Sequence, residues 1–387
     1  MTSLVSNRLK RAFLQSCETL TEGRLRLITP EGTRHDFGSH GREAELHLHD
    51  WSVAAAVAAR GDIGFGEAYV AGLWDTPSVE DVSSVAIANF DALDAQMRPR
   101  IWNQLKFRAV DTILRANSRR GSSRNIRAHY DVGNEFYNLW LDRSMTYSSA
   151  IFTGEDADLE RGQARKYDRI LNRIGDKAER VLEIGCGWGG FAERAADQGR
   201  HVTGVTISPS QKGYADARLD GRAEIRLQDY RDIRGTFDAI VSIEMVEAVG
   251  ARYWPAYFRT LRDRLAPGGR AVVQAITVPD VNFDLYRRSS DYIRQYTFPG
   301  GMLLSDAVIS SEAQRAGLKV RNSFAFGQDY AATCRHWTER FEAAVPRIQK
   351  LGHGDAFMRN WRYYLGICTA VFAMRRTDVV QVELVHA

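Results

Sequence analysis

Cysteine is scarce in this chain: four residues in 387, Cys17, Cys186, Cys334 and Cys368, far apart and never as CxxC. That spacing argues against a disulfide framework and a structural zinc site, and it implies a reducing compartment. Long apolar runs are missing too. No stretch approaches the roughly 18 uncharged residues of a membrane span, and the opening MTSLVSNRLKRAFLQSCETL is broken by charge and lacks a small-residue cleavage site. The expectation is a soluble or peripheral protein. Nor is there charge of one sign: 52 Lys and Arg against 48 Asp and Glu leave a formal +4. An anionic partner must therefore be met by a local patch rather than a global field. No nucleic-acid partner is expected, and no internal repeat is visible.

What is present is ordinary globular composition, 44% hydrophobic and 26% charged, with room for two or three domains. After an amphipathic opening, GRLRLITPEGTRHDFG reads as a hairpin turning at Pro30-Glu31-Gly32, and AELHLHDW as a strand running into glycine-punctuated helices. The alternating Leu46-His47-Leu48-His49 suits the outer face of an amphipathic strand better than a metal site. Residues 98–127 carry nine Arg or Lys against one acid, Asp111, a local charge of +8. Apolar residues at helical spacing make this a linker helix, either simply solvated or seated on anionic phosphate headgroups. From about residue 163, five short apolar runs (ERVLEIGCG, HVTGVTIS, AEIRLQDY, FDAIVSIEM, GRAVVQAIT) alternate with helix-length segments. They predict a parallel, doubly wound α/β sheet of Rossmann type, with a helical cover and a small N-terminal α+β domain. The domain boundaries read as 1–97, the linker 98–127, and a catalytic domain 128–387.

VLEIGCGWGGFAERAA places Gly185, Gly187 and Gly189 where a strand turns tightly into a helix. Such a turn lets a ligand approach backbone N–H groups. Dinucleotide folds use nearly the same turn, and Glu183 breaks the tie. A carboxylate at the strand end suits the ammonium of S-adenosylmethionine and would repel a pyrophosphate. The acid that ends the second strand of many Rossmann sites is absent, and Thr206, Ser208 and Gln211 stand there instead. In QDYRD, Asp229 can accept from the adenine amino group and Tyr230 can stack near the ring.

AHYDVGNEFYNLWLDRSMTYSSAIF, VLEIGCGWGGFA, VTGVTISPSQ, FDAIVSIEMVEAVG, FPGGMLLS and FGQDYAATCRHWTERF occur in the order found in cyclopropane-fatty-acid-phospholipid synthases and the related mycolic acid cyclopropane synthases. The resemblance spans nearly the whole chain. It includes GDIGFGEAYVAGLWDTPSVEDV, similar to the N-terminal domain of the phospholipid-acting members. It implies that Thr206, Ser208 and Gln211 take over cofactor contacts made elsewhere by an acid. It also implies that Tyr147 and Ser148, with His129 and Tyr130 just upstream, close over the cofactor, an aromatic ring beside the sulfonium being a cation–π contact.

The chemistry implied is methyl transfer from S-adenosylmethionine to the cis double bond of an unsaturated phospholipid acyl chain at an anionic membrane surface, on the inner face of the membrane. The resulting carbocation is deprotonated by a bound bicarbonate. By the same resemblance Glu247 and Tyr330 hold that ion, with Ile276 and Ser149 at the backbone contacts and Gln274 where histidine is usual. Glutamine can hydrogen-bond but cannot take a proton near neutral pH, and Ala248 replaces a second histidine. These departures leave methyl transfer intact and leave both a cyclopropane and an open-chain methyl or methylene branch possible as the product. A small-molecule methyltransferase and an inactive lipid-binding relative are the competing readings. The family's N-terminal domain further suggests a homodimer. Drawing about nine methylenes from a bilayer at roughly 0.8 kcal/mol each requires a greasy channel, for which Phe283, Tyr292, Phe298, Trp361, Tyr364 and Phe372 are the candidates.

Overall fold

The computed structural model describes residues 3–90, 92–93, 132–154 and 157–387. The basic stretch 98–127, His129 and Tyr130 lie outside the described residues.

The N-terminal unit contains α1 (Ser3–Glu18), β1 (Gly23–Ile28), β2 (Arg34–His40), β3 (Glu43–Leu48), α2 (Ser52–Arg60), α3 (Asp62–Val70), β4 (Trp74–Asp75) and α4 (Val79–Ala88). Its sheet runs β2-β1-β3-β4. The hairpin forms as read: β1 and β2 are antiparallel with Leu25 opposite Phe37, and Gly32 closes the turn at φ +82°. Strand alternation buries Leu25, Leu27, Leu46 and Leu48 against α2 to α4. The histidines between them point outward to carboxylates, His47 to Glu45 at 2.6 Å and His49 to Asp75 at 2.8 Å.

The second unit is built on β5 (Arg180–Ile184), β6 (His201–Thr206), β7 (Glu224–Leu227), β8 (Phe237–Ile243), β9 (Leu265–Thr277), β10 (Leu318–Ala325) and β11 (Asp378–His386), in the order β10-β11-β9-β8-β5-β6-β7. The five runs read as parallel strands are parallel. The wholly parallel sheet is corrected: β11 lies antiparallel to β9, and β10 antiparallel to β11. The long excursion between β10 and β11 lets the buried run DVVQVELVH slot in beside β9, while the mostly exposed β10 serves as the edge.

Around the sheet lie α5 (Asn134–Asn138), α6 (Leu159–Ile174), α7 (Gly190–Asp197), α8 (Pro209–Leu219), α9 (Val246–Val249), α10 (Trp254–Arg264), α11 (Asp280–Arg288) and α12 (Asp306–Arg315). Alternate residues of β5 and β8 feed cores on opposite faces, Leu182 and Ile240 toward α10 and Val181 and Val241 toward α6 and α7. Two long helices, α13 (Gly327–Lys350) and α14 (Asp355–Ala373), form the cover over an aromatic cluster of Phe136, Tyr137, Trp140, Trp337 and Trp361.

The cover also ties the two units together. Arg359 donates to the carbonyls of Tyr69 (2.5 Å) and Trp74 (2.7 Å) and to Asp75 (2.7 Å). Tyr363 joins the N-terminal core beside Tyr69. Gly66 is required where it stands, since a Cβ would come within 2.4 Å of the Tyr292 and Tyr363 rings.

Candidate active site

The turn after β5 is shaped by positive φ angles at Gly185 (+81°), Gly187 (+51°) and Gly189 (+85°). A side chain at Gly185 would sit 2.8 Å from Met245, whereas at Gly187 it would project into open space. Gly185 and Gly187 line a cavity of about 910 Å³. Gly189 does not line it. It is the left-handed N-cap residue of α7, so its contribution is to start the helix rather than to touch a ligand.

Glu183, on β5 and nearly fully buried, lines the same cavity, and its Oε2 has no hydrogen-bond partner. A buried carboxylate oxygen left unpaired is costly. Burial pushes this carboxyl up to about 8, opposed by the charge of Lys166. Both features fit a site awaiting an ammonium.

After β6, Thr206 Oγ1 donates to Gln211 Oε1 at 2.9 Å, turning the amide so that its nitrogen is the end left for a ligand. Both residues line the cavity. Ser208 caps α8, its Oγ accepting from the Gln211 N–H at 3.3 Å, and it does not line the cavity. Asp229 and Tyr230 both face the cavity at the end of β7. Asp229 is forked with the Arg231 guanidinium at 2.8 and 2.6 Å and also accepts from the Arg231 N–H at 3.0 Å.

The TYS segment covers the site. Tyr147 donates to Tyr364 Oη at 3.0 Å and lies among the rings of Tyr137, Trp140 and Trp337. Ser148 Oγ accepts from Lys166, a lysine buried on the inner face of α6 and held over the Tyr167 ring. Lys166 was not singled out from sequence. The signal was its place in the buried spacing Leu159, Gln163, Lys166, Ile170, one face of the helix. Burial pulls its ammonium down while Glu244, Asp142 and Glu183 hold it up.

The groups read as anion ligands converge, but on a protein side chain. Glu244, just past β8, accepts from Tyr330 Oη (2.6 Å), Gln274 Nε2 (2.7 Å) and the Ser149 N–H (3.2 Å). Gln274 and Ser149 do not reach the cavity and stand behind Glu244. Glu247 and Ile276 are also together: Glu247 Oε1 accepts from the Ile276 N–H at 2.6 Å, and Oε2 is buried without a partner. Glu244, Glu247, Ile276 and Tyr330 all line the cavity. Burial and the neighbouring Glu244 push Glu247 up to about 8. Glu244 was missed because EMVE offers two glutamates and the resemblance selects the second.

Of the channel candidates, Tyr292, Phe298, Tyr364 and Phe372 line the cavity. Phe283 and Trp361 pack in cores. The cavity continues between the units to Leu25, Leu46, Val82, Val85 and Phe90 of the N-terminal unit.

A glycine turn, an unpaired buried carboxylate beside it and a parallel-rich sheet with helices on both faces define a class I S-adenosylmethionine-dependent methyltransferase. Comparison with known proteins is specific beyond that class. The family model described as mycolic acid cyclopropane synthetase matches residues 117–382, and the chain belongs to that family. It is 36% identical to tuberculostearic acid methyltransferase UfaA1 of Mycobacterium tuberculosis, over 99% of this chain and 91% of that protein. It is 34% identical to the cyclopropane-fatty-acyl-phospholipid synthase of Escherichia coli, over 88% of this chain and 87% of that protein. Among solved structures it resembles mycolic acid cyclopropane synthase CmaA1 complexed with SAH and CTAB, with a TM-score of 0.63 and 26% identity over 68% of this chain and 97% of that one. The chain is an S-adenosylmethionine-dependent enzyme of the lipid methyltransferase and cyclopropane synthase family. The bound donor supplies a methyl group on a sulfonium. Glu183, Gly185, Gly187, Gln211, Asp229 and Tyr230 line the same cavity and are the residues that would hold it.

Proposed function

We propose that this enzyme transfers a methyl group to the cis double bond of an unsaturated phospholipid acyl chain and releases an open-chain methyl-branched product rather than a cyclopropane. The observation that carries the substrate class is the cavity. It runs from the donor turn past Glu244, Glu247 and Tyr330 into apolar surface of the N-terminal unit. A small polar substrate needs no such tunnel, whereas an acyl chain whose double bond lies roughly ten carbons from its headgroup would otherwise expose each methylene to water at about 0.8 kcal/mol. The open-chain product is supported by the relative named a tuberculostearic acid methyltransferase, a methyltransferase and not a cyclopropane synthase by name, which matches across both units. Replacement of the usual histidine by Gln274 at the ring-closing site adds to this reading.

The lipid enters from the membrane. No described helix is long and apolar enough to cross one. Helix α11 sits at the cavity mouth: Leu285 lines the cavity yet is 60% exposed, Val281 one turn earlier is 90% exposed, and Arg287 and Arg288 flank them. Exposed apolar residues beside basic ones suit an interface with anionic lipid.

The test is gas chromatography and mass spectrometry of fatty acids from cells expressing the protein and fed methyl-labelled methionine. A labelled gain of one methylene unit with a double bond or methylene branch retained is expected. A labelled ring resistant to hydrogenation would make the enzyme a cyclopropane synthase, and the absence of any labelled lipid would return it to small-molecule methyl transfer.

A further inference from the structure

We infer that the Glu244 carboxylate is this enzyme's own proton acceptor, occupying the place where the family resemblance puts a bicarbonate ion. The inference rests on the methyl transfer proposed above and adds the base to it.

The donors that would hold a bicarbonate are already taken. Tyr330 comes from α13, Gln274 from β9 and Ser149 from the TYS segment, and all three give hydrogen bonds to the same carboxylate at 2.6, 2.7 and 3.2 Å. A planar anion of that size could reach them only by displacing Glu244. The displacement is opposed by the backbone, because the Glu244 N–H donates to the Gln274 carbonyl at 2.9 Å and continues the sheet. Glu244 adopts φ +50°, a conformation uncommon for a residue with a side chain and found where surrounding structure enforces it, often at functional sites. The cavity runs past it.

Its partners leave Glu244 as the acceptor. The Gln274 amide is oriented by Gln381 Nε2, which donates to Gln274 Oε1 at 3.0 Å, so Gln274 presents its N–H₂ to Glu244 and has no basic atom to offer. Glu247 lies beside it in the same cavity, and two adjacent buried carboxyls do not both ionise readily. Glu247 holds the proton, being pushed up to about 8. Burial raises the Glu244 carboxyl as well, but the Tyr330, Gln274 and Ser149 donors and the Lys166 charge oppose it, whereas Glu247 accepts only from the Ile276 N–H; of the two, Glu244 is the one whose surroundings hold a carboxylate.

The step balances without another reagent. The alkene π pair forms the new C–C bond to the methyl, the methyl–sulfur bond breaks with its pair going to sulfur, and positive charge falls on a chain carbon. Glu244 takes one proton from a neighbouring carbon, and that C–H pair becomes the product's double bond. The proton passes to solvent when product leaves.

The test uses the purified full chain, with vesicles of monounsaturated phosphatidylglycerol, in buffer stripped of carbon dioxide. Wild-type turnover is expected to be the same with and without added bicarbonate. Glu244→Gly, which suits the positive φ and empties the cradle, should lose at least about 100-fold in kcat and regain at least about tenfold with bicarbonate. Glu244→Gln, which keeps the cradle filled without a base, should lose as much and regain nothing. Binding of ¹³C-bicarbonate measured by NMR supplies a readout free of activity: none for wild type and Glu244→Gln, saturable binding for Glu244→Gly. Wild-type turnover that requires bicarbonate, saturable bicarbonate binding by wild type, or an unimpaired Glu244→Gln would overturn the inference. Absence of lipid methylation under every condition would instead sink the proposed function, with the binding measurement still deciding whether Glu244 fills the anion site.

Discussion

Glu183 is a carboxyl whose charge is opposed by burial until a ligand arrives. Free of ligand it is held up to about 8, and an ammonium placed against its unpaired oxygen favours ionisation. Binding of S-adenosylhomocysteine at pH 7 should therefore release protons, measurable as a dependence of calorimetric heat on the buffer's own ionisation enthalpy. Glu183→Gln should abolish that dependence and weaken binding by about 10- to 100-fold, the worth of a charge-assisted hydrogen bond. Undiminished binding would remove Glu183 from the site. At this scale the sequence made the turn legible, since Glu183, Gly185 and Gln211 stand together on the cavity wall as their types and places on the turns suggest. It did not distinguish Glu244 from Glu247, or show that Ser208 and Gly189 cap helices, because those depend on the direction of a side chain.

Helix α11 is the element on which membrane access turns. Replacing Val281 and Leu285 together by aspartate changes two exposed positions, so the fold should be kept and binding of S-adenosylhomocysteine should stay the same. Turnover on anionic vesicles should fall by about tenfold or more, since two apolar contacts worth roughly 1.5 kcal/mol each when buried are exchanged for like-charge repulsion. Equal turnover of the double variant and wild type on vesicles would show that the lipid enters elsewhere. The five parallel strands were legible because each is a short apolar run followed by a turn. The β10 and β11 pair was not, because DVVQVELVH reads equally well in either direction and its orientation is settled by the room left beside β9.

Across the whole molecule, buried carboxyls set how stability responds to pH. Glu183 and Glu247 are raised to about 8, each mainly by burial. The folded state thus binds more protons than the unfolded chain, whose carboxyls titrate near 4.5 and below. Stability contributed by these groups is present in acid and lost as pH rises through the folded values. The depressed carboxyls, such as Glu31 and Asp36, act below that window with the opposite sign. Lys166, lowered by burial to about 7, has the opposite sign from about pH 7 up to the usual lysine range, so it opposes the carboxyls only at the top of the window. The ligand-free protein should accordingly melt a few degrees lower at pH 7 than at pH 5.5, a difference of order 1–2 kcal/mol, by scanning calorimetry. S-adenosylhomocysteine should shrink the difference by giving Glu183 its partner. A melting point that rises over this interval would contradict the burial assigned to these groups.

The sequence by itself determined the hairpin, the parallel strands and the glycine turn after β5, because each rests on short-range periodicity or on a residue type that only one local conformation tolerates. The motifs it shares, in order, with known synthases determined the family. The tertiary structure decided what those pieces meet. It placed β11 against β9, carried the cavity between two units far apart along the chain, and brought Tyr330, Gln274 and Ser149 onto Glu244 from three separate elements. Convergence of that kind depends on distances in space between residues up to 181 positions apart, Ser149 and Tyr330, and no local pattern of residues records it.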